Sequence, residues 1–379
     1  MLRLLTAGES HGQMLLAVID GFPAGVKIDT TLIDRELKRR QGGYGRGGRQ
    51  KLETDVVEVL SGVWQQTTIG SPVALGVANS DSKLERLKDV ERPRPGHGDL
   101  TGAIKYLGSI RGVLERASAR ETAARVAAGA LAKQLLAEFG MVVFGYVVQL
   151  EEIGTQTGSG TIAELTALRD ASPMYTLDPA ADQQIVKRVD RATEEGDTLG
   201  GIIEVQVLHP PFGLGSHAQW DRKLDGLLAQ AVMSIQAIKG VEIGLGFEAA
   251  RRPGSKVHDE IAYDPAEVDR PSLGYTRKTN NAGGLEAGMT NGQPIVVRAA
   301  MKPISTLRRP LASINLTTKE PESAAYERSD VCALAACSVI VENVVAFTLA
   351  QALVEKFGGD SLVEMRARYE KFLELARAR

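Results

Sequence analysis

The chain of 379 residues has two cysteines, 5% aromatic residues and a formal net charge of −2. Each shortage excludes something. Two cysteines, Cys332 and Cys337, cannot frame a disulfide scaffold, and the apolar segment holding them lacks the His or Asp partners of a metal site. On a helix, thiols five residues apart would point roughly 140° from each other, too far round to bridge. They read as reduced core residues of a cytoplasmic protein. Near-neutral charge gives the whole chain no electrostatic claim on nucleic acid or an anionic membrane, so any anion site has to be a local cluster. No Gly-Lys dipeptide occurs, hence no P-loop, and no His-Glu-x-x-His, hence no zinc helix. The first residues reach Glu9 too soon to form the apolar region of a signal peptide. The longest apolar stretch, Val331 to Val354, carries Glu342 and Asn343 at its middle. A membrane span would strongly disfavour that charge, so a buried helix is expected.

What is present is a globular composition, 43% hydrophobic and 24% charged, with 40 glycines. Ser118 and Glu121 have capping-box spacing ahead of an Ala-rich run that stops at Phe139-Gly140. Leu224, Leu227, Leu228, Ala231, Val232 and Ile235 recur at helical spacing, and Gly240 ends that pattern. A C-terminal helical tail, about 360–379, sets Leu362, Met365, Tyr369, Phe372 and Leu373 against a charged face. Val142 to Leu150 alternates like a half-buried strand, and Gly201 to Leu208 and Pro294 to Met301 are rich in β-branched residues. Strands and helices do not alternate in regular βαβ units, which predicts an α+β fold and not a parallel doubly wound sheet. No linker divides the chain, and a single domain over residues 1–379 is expected.

Polar chemistry concentrates in a few places. Between Arg35 and Lys51 stand Arg35, Lys38, Arg39, Arg40, Arg46, Arg49 and Lys51 against one acid, Glu36, with glycines through the second half. A basic helix end running into a glycine loop (about 39–51) frees backbone N–H groups and lets arginines converge on an anion. A solvated basic loop is the plain alternative. Gly43, Gly45 and Gly48 match the dinucleotide glycine fingerprint in spacing, but they follow a helix and not a strand, so that reading is rejected. Of the histidines, His11 and His97 sit in the glycine-flanked turns Ser10-His11-Gly12 and Gly96-His97-Gly98, where a ligand has room and an imidazole can exchange protons near neutral pH. Either could instead be structural. The cluster from Arg116 to Glu121 opens a helix, a place that favours phosphate, though Ser118 could serve only as a cap. Lys302 to Thr306 follows a strand, and Arg328 with Asp330 could be a simple ion pair.

These segments resemble the chorismate synthases. Gly8-Glu9-Ser10-His11-Gly12, Arg116-Ala117-Ser118-Ala119-Arg120-Glu121-Thr122 and Arg328-Ser329-Asp330 with Cys332 are similar to three signatures of that family. Ile19 to Gly25, Arg94-Pro95-Gly96-His97, Asn280 to Gly284 and Lys302 to Thr306 are similar to its loops, and the likeness runs in order from about residue 3 to about residue 354. The resemblance implies helices layered between antiparallel sheets, assembled as a homotetramer. It implies a lyase that eliminates phosphate and the C6 hydrogen of 5-enolpyruvylshikimate 3-phosphate, using reduced FMN without net redox change, in aromatic amino acid biosynthesis. NADPH or a separate flavin reductase would supply the reduced flavin. By motif match, His11, His97 and Asp330 take catalytic roles, with Ser10 and Ser118 orienting them. Arg40, Arg46 and Arg49 fall on the substrate or NADP side. Arg116, Ala117, Ser118, Gln236, Ala237, Ala287, Lys302, Pro303, Ile304, Ser305, Thr306 and Arg328 are implied FMN contacts. No metal, nucleic acid or membrane is implied. The rival readings are an FMN-dependent oxidoreductase or flavin reductase, and an anion- or RNA-binding module built on the Arg46 loop.

Overall fold

The computed structural model describes residues 1–47, 54–327 and 329–379. Two antiparallel sheets enclose a layer of helices, as the α+β reading expects. In the first, β1 (Arg3–Ala7), β2 (Met14–Asp20), β3 (Val57–Ser61) and β4 (Val73–Ala78) lie in the order β1-β2-β4-β3. The second contains β5 (Val142–Leu150), β6 (Ile153–Gly154), β7 (Gly201–Leu208), β8 (Ile238–Ile243) and β9 (Ile295–Met301), in the order β8-β9-β7-β5-β6. The helices are α1 (Thr30–Gln41), α2 (Asp99–Tyr106), α3 (Ile110–Ala117), α4 (Thr122–Ala137), α5 (Ile162–Ala171), α6 (Pro179–Glu195), α7 (Leu224–Met233), α8 (Leu334–Phe357) and α9 (Leu362–Arg377). Helix α4 packs on β2 and β4, α8 packs on β5 and β7, and α1 lies against both helices. One contiguous apolar core runs from the first sheet through this layer to the second.

The helix layer is thin because α4 is built from small residues. Ala123, Ala124, Ala127, Ala128 and Ala130 are buried, and at Gly129 an added Cβ would lie 2.2 Å from the Asn343 carbonyl oxygen on α8. Gly129→Ala gains about 1 kcal/mol of helix propensity. Forcing α4 and α8 apart costs about 1–3 kcal/mol, so a net loss is expected, read as a lower urea midpoint. An unchanged or raised midpoint would mean that the crossing accommodates a methyl group.

Helix α8 is the buried helix expected from the Val331–Val354 run, and its central polar pair is satisfied inside the protein. Arg39 donates to Glu342 at 3.0 Å, Lys133 Nζ approaches Glu342 at 2.5 Å and Glu36 at 2.7 Å, and Asn343 Nδ2 donates to Glu36 at 3.0 Å. Burial pushes the Glu342 carboxyl pKa up, but the adjacent Arg39 and Lys133 more than reverse this and hold it below the usual carboxylate range. Both cysteines are buried and free, as expected, although Cys332 precedes α8 and does not lie on it. Burial pushes the Cys332 thiol up to about 11 and the Cys337 thiol up to about 12, so both stay protonated at neutral pH.

Three local expectations need correction. Strand β5 does not alternate, because α8 covers one face while Phe144 and Tyr146 pack with Ile162, Leu165 and Leu168 of α5 on the other. Helix α7 ends at Met233, and Gly240 belongs to strand β8, whose register shifts between Ile238 and Gly240. Ser118 and Glu121 do not close a capping box. Ser118 caps a short 3₁₀ turn, Ala119–Glu121, by accepting from Arg120 N at 3.3 Å. The Glu121 carboxylate instead meets Thr6 and Arg125.

Candidate active site

A cavity of about 660 Å³ collects most of the motif residues. Its walls include Ser10, His11, Arg40, Arg46, His97, Ala117, Ser118, Gln236, Ala237, Lys302, Ile304, Ser305, Thr306 and Asp330. A larger hollow of about 930 Å³ lies beside α1, α4 and α5. Of its charged groups, Glu36, Arg39, Lys133, Arg169 and Glu342 are engaged with one another, and none of the sequence's motif histidines lines it. The smaller cavity is the candidate site.

Hydrogen bonds between distant segments build its walls. The turn carrying His97 docks on the loop after β9: Lys302 Nζ and Ser305 Oγ each donate to Gly96 O at 3.0 Å, and Arg94 Nη1 donates to Thr306 Oγ1 at 2.9 Å. Ser329 Oγ then donates to Thr306 O at 3.0 Å. The turn at Gln236-Ala237 joins the same loop, since Lys302 N donates to Ala237 O at 2.9 Å. Ala237 holds φ +69, a left-handed conformation uncommon for a residue with a Cβ.

The glycine-rich loop packs against the segment before α8. Gly45 O accepts from Val331 N at 2.9 Å, and Gly47 N donates to Asp330 Oδ1 at 2.6 Å. Arg46 Nε stands 3.0 Å from Asp330 Oδ2. Glycine is required for this approach at Gly43, where φ is +101 and a Cβ would lie 2.6 Å from that of Ala335. The basic cluster of α1 does not converge as a whole. Arg39 turns into the buried network around Glu342, whereas Arg40 and Arg46 face the cavity. Arg49 lies outside the described residues, as does Arg328.

Three guanidinium groups therefore crowd one end of the site. Asp55 is shared by Arg40 at 3.1 Å and Arg120 at 2.7 Å, and Arg46 Nη1 donates to Arg40 O at 3.3 Å. Burial draws the Arg40 pKa down to about 10, with Asp55 opposing and Arg120 and Arg46 adding repulsion. A polyanion would relieve that repulsion. Lys302 adds a cation that meets no carboxylate among the described residues, and its pKa is lowered by burial and then by Lys239.

Each cavity histidine rests on a buried carboxylate. His11 Nδ1 lies 3.0 Å and 3.1 Å from the two Glu115 oxygens, and Glu115 Oε2 also accepts from His11 N at 2.8 Å. His97 Nδ1 lies 2.5 Å from Asp99 Oδ1, while Arg94 Nε donates to Asp99 Oδ2 at 2.8 Å. Burial pushes both carboxyl pKa values up, and hydrogen bonds from the histidines, with Arg94 at Asp99 and Arg111 near Glu115, bring them below the ordinary range. An ionised carboxylate only accepts, so Nδ1 of His11 carries the proton; at His97 Asp99 favours the same form, while Arg94 Nη2, a donor, also stands 3.1 Å from Nδ1.

Some sequence-predicted residues stand apart from the cavity. Arg116 folds away from it, with Nη1 donating to Gly8 O at 3.0 Å and Nη2 to Thr6 O at 2.9 Å, and so braces the end of β1. Ala287 occupies the turn between Leu285–Glu286 and Met289–Thr290 and is not part of the lining, nor is the Pro303 ring. Sequence reasoning missed Glu115, Asp99, Arg120 and Asp55 as site residues. Asp99 could have been found, since it lies two residues beyond His97.

The cavity's lining fits a flavin mononucleotide in its chemistry. The lining combines apolar Ile235, Met301, Ile304 and Ile340 with the cations, and the Gln236 side-chain carbonyl is buried without a hydrogen-bond partner among the described residues. A flat amphipathic ring system with a phosphate tail satisfies both features.

Comparison with known proteins gives a consistent result. The family model described as chorismate synthase matches residues 2–354. The chorismate synthase of Geobacter sulfurreducens is 55% identical over 392 residues, covering 100% of both chains. That of Symbiobacterium thermophilum is 53% identical, covering 98% of this chain and 99% of its own. A chorismate synthase crystal structure superposes with a TM-score of 0.82 at 42% identity, covering 100% of this chain and 99% of that one. With the family's signature segments brought together around one cavity, the chain belongs to the chorismate synthase family.

Proposed function

We propose that this cavity converts 5-enolpyruvylshikimate 3-phosphate to chorismate and phosphate, as a carbon–oxygen lyase of the shikimate pathway. The observation that carries the reading is the convergence of His11, His97, Asp330 and the Arg40–Arg46–Arg120 cluster on one cavity. The reaction breaks the C3–O bond, with phosphate taking the electron pair, and removes the C6 hydrogen as a proton, creating the second ring double bond. The C6 hydrogen is not adjacent to a carbonyl, so a base alone faces a poor acid. The chemistry that a bound reduced FMN would supply there is reversible electron donation during C–O cleavage, with no net redox change. The Gln236-Ala237 turn, Ala117 and Ser118, and the Lys302–Thr306 loop would hold it.

The chain's own groups bind charge and manage protons. Arg40, Arg46 and Arg120 offset desolvation of the substrate's two carboxylates and phosphate. His11, held at Nδ1 by Glu115, in its cationic form offers the Nε2 proton to the leaving phosphate, with Ser10 shaping that turn. His97 serves the flavin side. Asp330 accepts the C6 proton, and Arg46 keeps the carboxylate in place. NADPH at this site or a separate reductase would supply the reduced flavin, and NADPH consumption by purified protein separates the two routes. The chain works as a single domain in a cytoplasmic homotetramer.

Arg46→Ala tests the substrate end. It should weaken substrate binding by about 1.5–3 kcal/mol, the range for a hydrogen bond to a charged group, with a much smaller effect on FMN affinity measured alone. Equal losses would make the loop structural, or part of the flavin site.

A further inference from the structure

We infer that Glu115 is a positioning residue for the reaction: it fixes the tautomer and ring direction of His11, so that proton exchange with the substrate takes place at Nε2. The inference rests on the function proposed above for His11. Glu115 lies in the last turn of α3, and it is 2% exposed. It clamps the Ser10-His11 turn in three ways. Its backbone carbonyl accepts from Ser10 N at 2.9 Å, its Oε2 accepts from His11 N at 2.8 Å, and its two oxygens straddle His11 Nδ1 at 3.0 Å and 3.1 Å.

A helix-end carboxylate would ordinarily prefer water. Placing it in the interior is costly unless donors meet it, and those present among the described residues are two groups of His11 and the Arg111 guanidinium at 3.6 Å. The electrostatics of Glu115 are thus spent largely on one residue. Because an ionised carboxylate has no proton to give, the arrangement selects the Nδ1–H form of the neutral ring. It also stabilises the cationic ring from behind whenever Nε2 carries a proton. A glutamine at the same position keeps the shape but can present either its carbonyl or its NH₂ to Nδ1, and the NH₂ would favour the opposite tautomer. Charge and one-way acceptance, and not bulk, are what position 115 supplies. Asp99 also faces His97 Nδ1, from a different helix, but there Arg94 Nη2 stands 3.1 Å from the same nitrogen, so the one-sided arrangement is that of His11.

The test reads the ring itself as well as turnover. In the wild-type protein, long-range ¹H–¹⁵N correlation of labelled histidines at mildly alkaline pH should show His11 with its proton on Nδ1. His11→Ala provides the assignment. A predominant Nε2–H form in the wild type overturns the inference without any variant at position 115. Glu115→Gln should fold, show an Nε2–H population at His11, and lower kcat by about 10- to 100-fold, as when a metal-bound histidine loses its orienting partner, with KM changed less than about twofold. A folded Glu115→Gln protein with wild-type kcat, or with an unaltered His11 tautomer and kcat and KM impaired together, would leave Glu115 a structural clamp and overturn the inference. If His11→Ala keeps full turnover, the proposed role of His11 fails, whereas the tautomer measurement still reports whether Glu115 sets the ring.

Discussion

Replacing Asp330 with asparagine should leave substrate and FMN binding within about twofold and slow chorismate formation by about 10²–10⁴, the range for loss of a general base. Asparagine preserves much of the local structure. Its carbonyl can still accept from Gly47 N, which meets Asp330 Oδ1 at 2.6 Å, and the loop retains the Val331 bond to Gly45. What disappears is a carboxylate able to take the C6 proton. The sequence suggests Arg328 as the charge partner of this residue, and the described structure supplies Arg46 at 3.0 Å. That pairing gives the experiment its alternative outcome. If Asp330→Asn turns over at the wild-type rate, Asp330 serves only to hold Arg46 and its loop, and the base is another group.

His11→Ala and His97→Ala should each lower turnover by about 10²–10⁴. The structure adds a stability component that the glycine-flanked turns did not suggest. Removing either ring takes a donor from a buried carboxylate, Glu115 or Asp99, at a cost of about 1–3 kcal/mol for the unsatisfied group. Asp99 keeps two bonds from the Arg94 side chain, so the His97 variant should lose less. Turnover per folded molecule, with the folded fraction taken from an unfolding curve, separates the effects. Wild-type turnover per folded molecule in either variant would make that histidine structural.

The layered fold was legible where an element's own residue pattern marks it, whether buried throughout like α8 or alternating like β7 and β9. The Val331–Val354 run gave α8, Gly201–Leu208 and Pro294–Met301 gave strands β7 and β9, and the charged tail gave α9, which opens with a Ser361–Glu364 capping box. Strand β5 was found, but its second covered face was not, because α5 supplies that cover from a later part of the chain. The site was legible where chemistry sits in short glycine-marked turns, as at His11, His97 and the Lys302 loop. It was not legible where function depends on a contact across the chain. Glu115 lies 104 residues from His11 and reads as one more helical charge. Arg39 and Arg40 are adjacent in sequence, yet a helix turns neighbours about 100° apart, so one enters the core network and the other faces the cavity. Arg116 sits in the strongest motif and points elsewhere, because the carbonyls of Thr6 and Gly8 take its donors.

The rival readings differ in what they require of this cavity. A flavin reductase needs NADPH and the flavin but no cluster for a polyanionic second ligand, and an RNA-binding module needs no apolar lining beside Gln236. The central claim is that phosphate elimination occurs here without net oxidation, and one measurement addresses it most directly. Under anaerobic conditions, with chemically reduced FMN, 5-enolpyruvylshikimate 3-phosphate and no NADPH, phosphate and chorismate should appear in equal amounts over many turnovers while the flavin finishes reduced. Absence of chorismate, or flavin oxidised in proportion to product, would contradict the account.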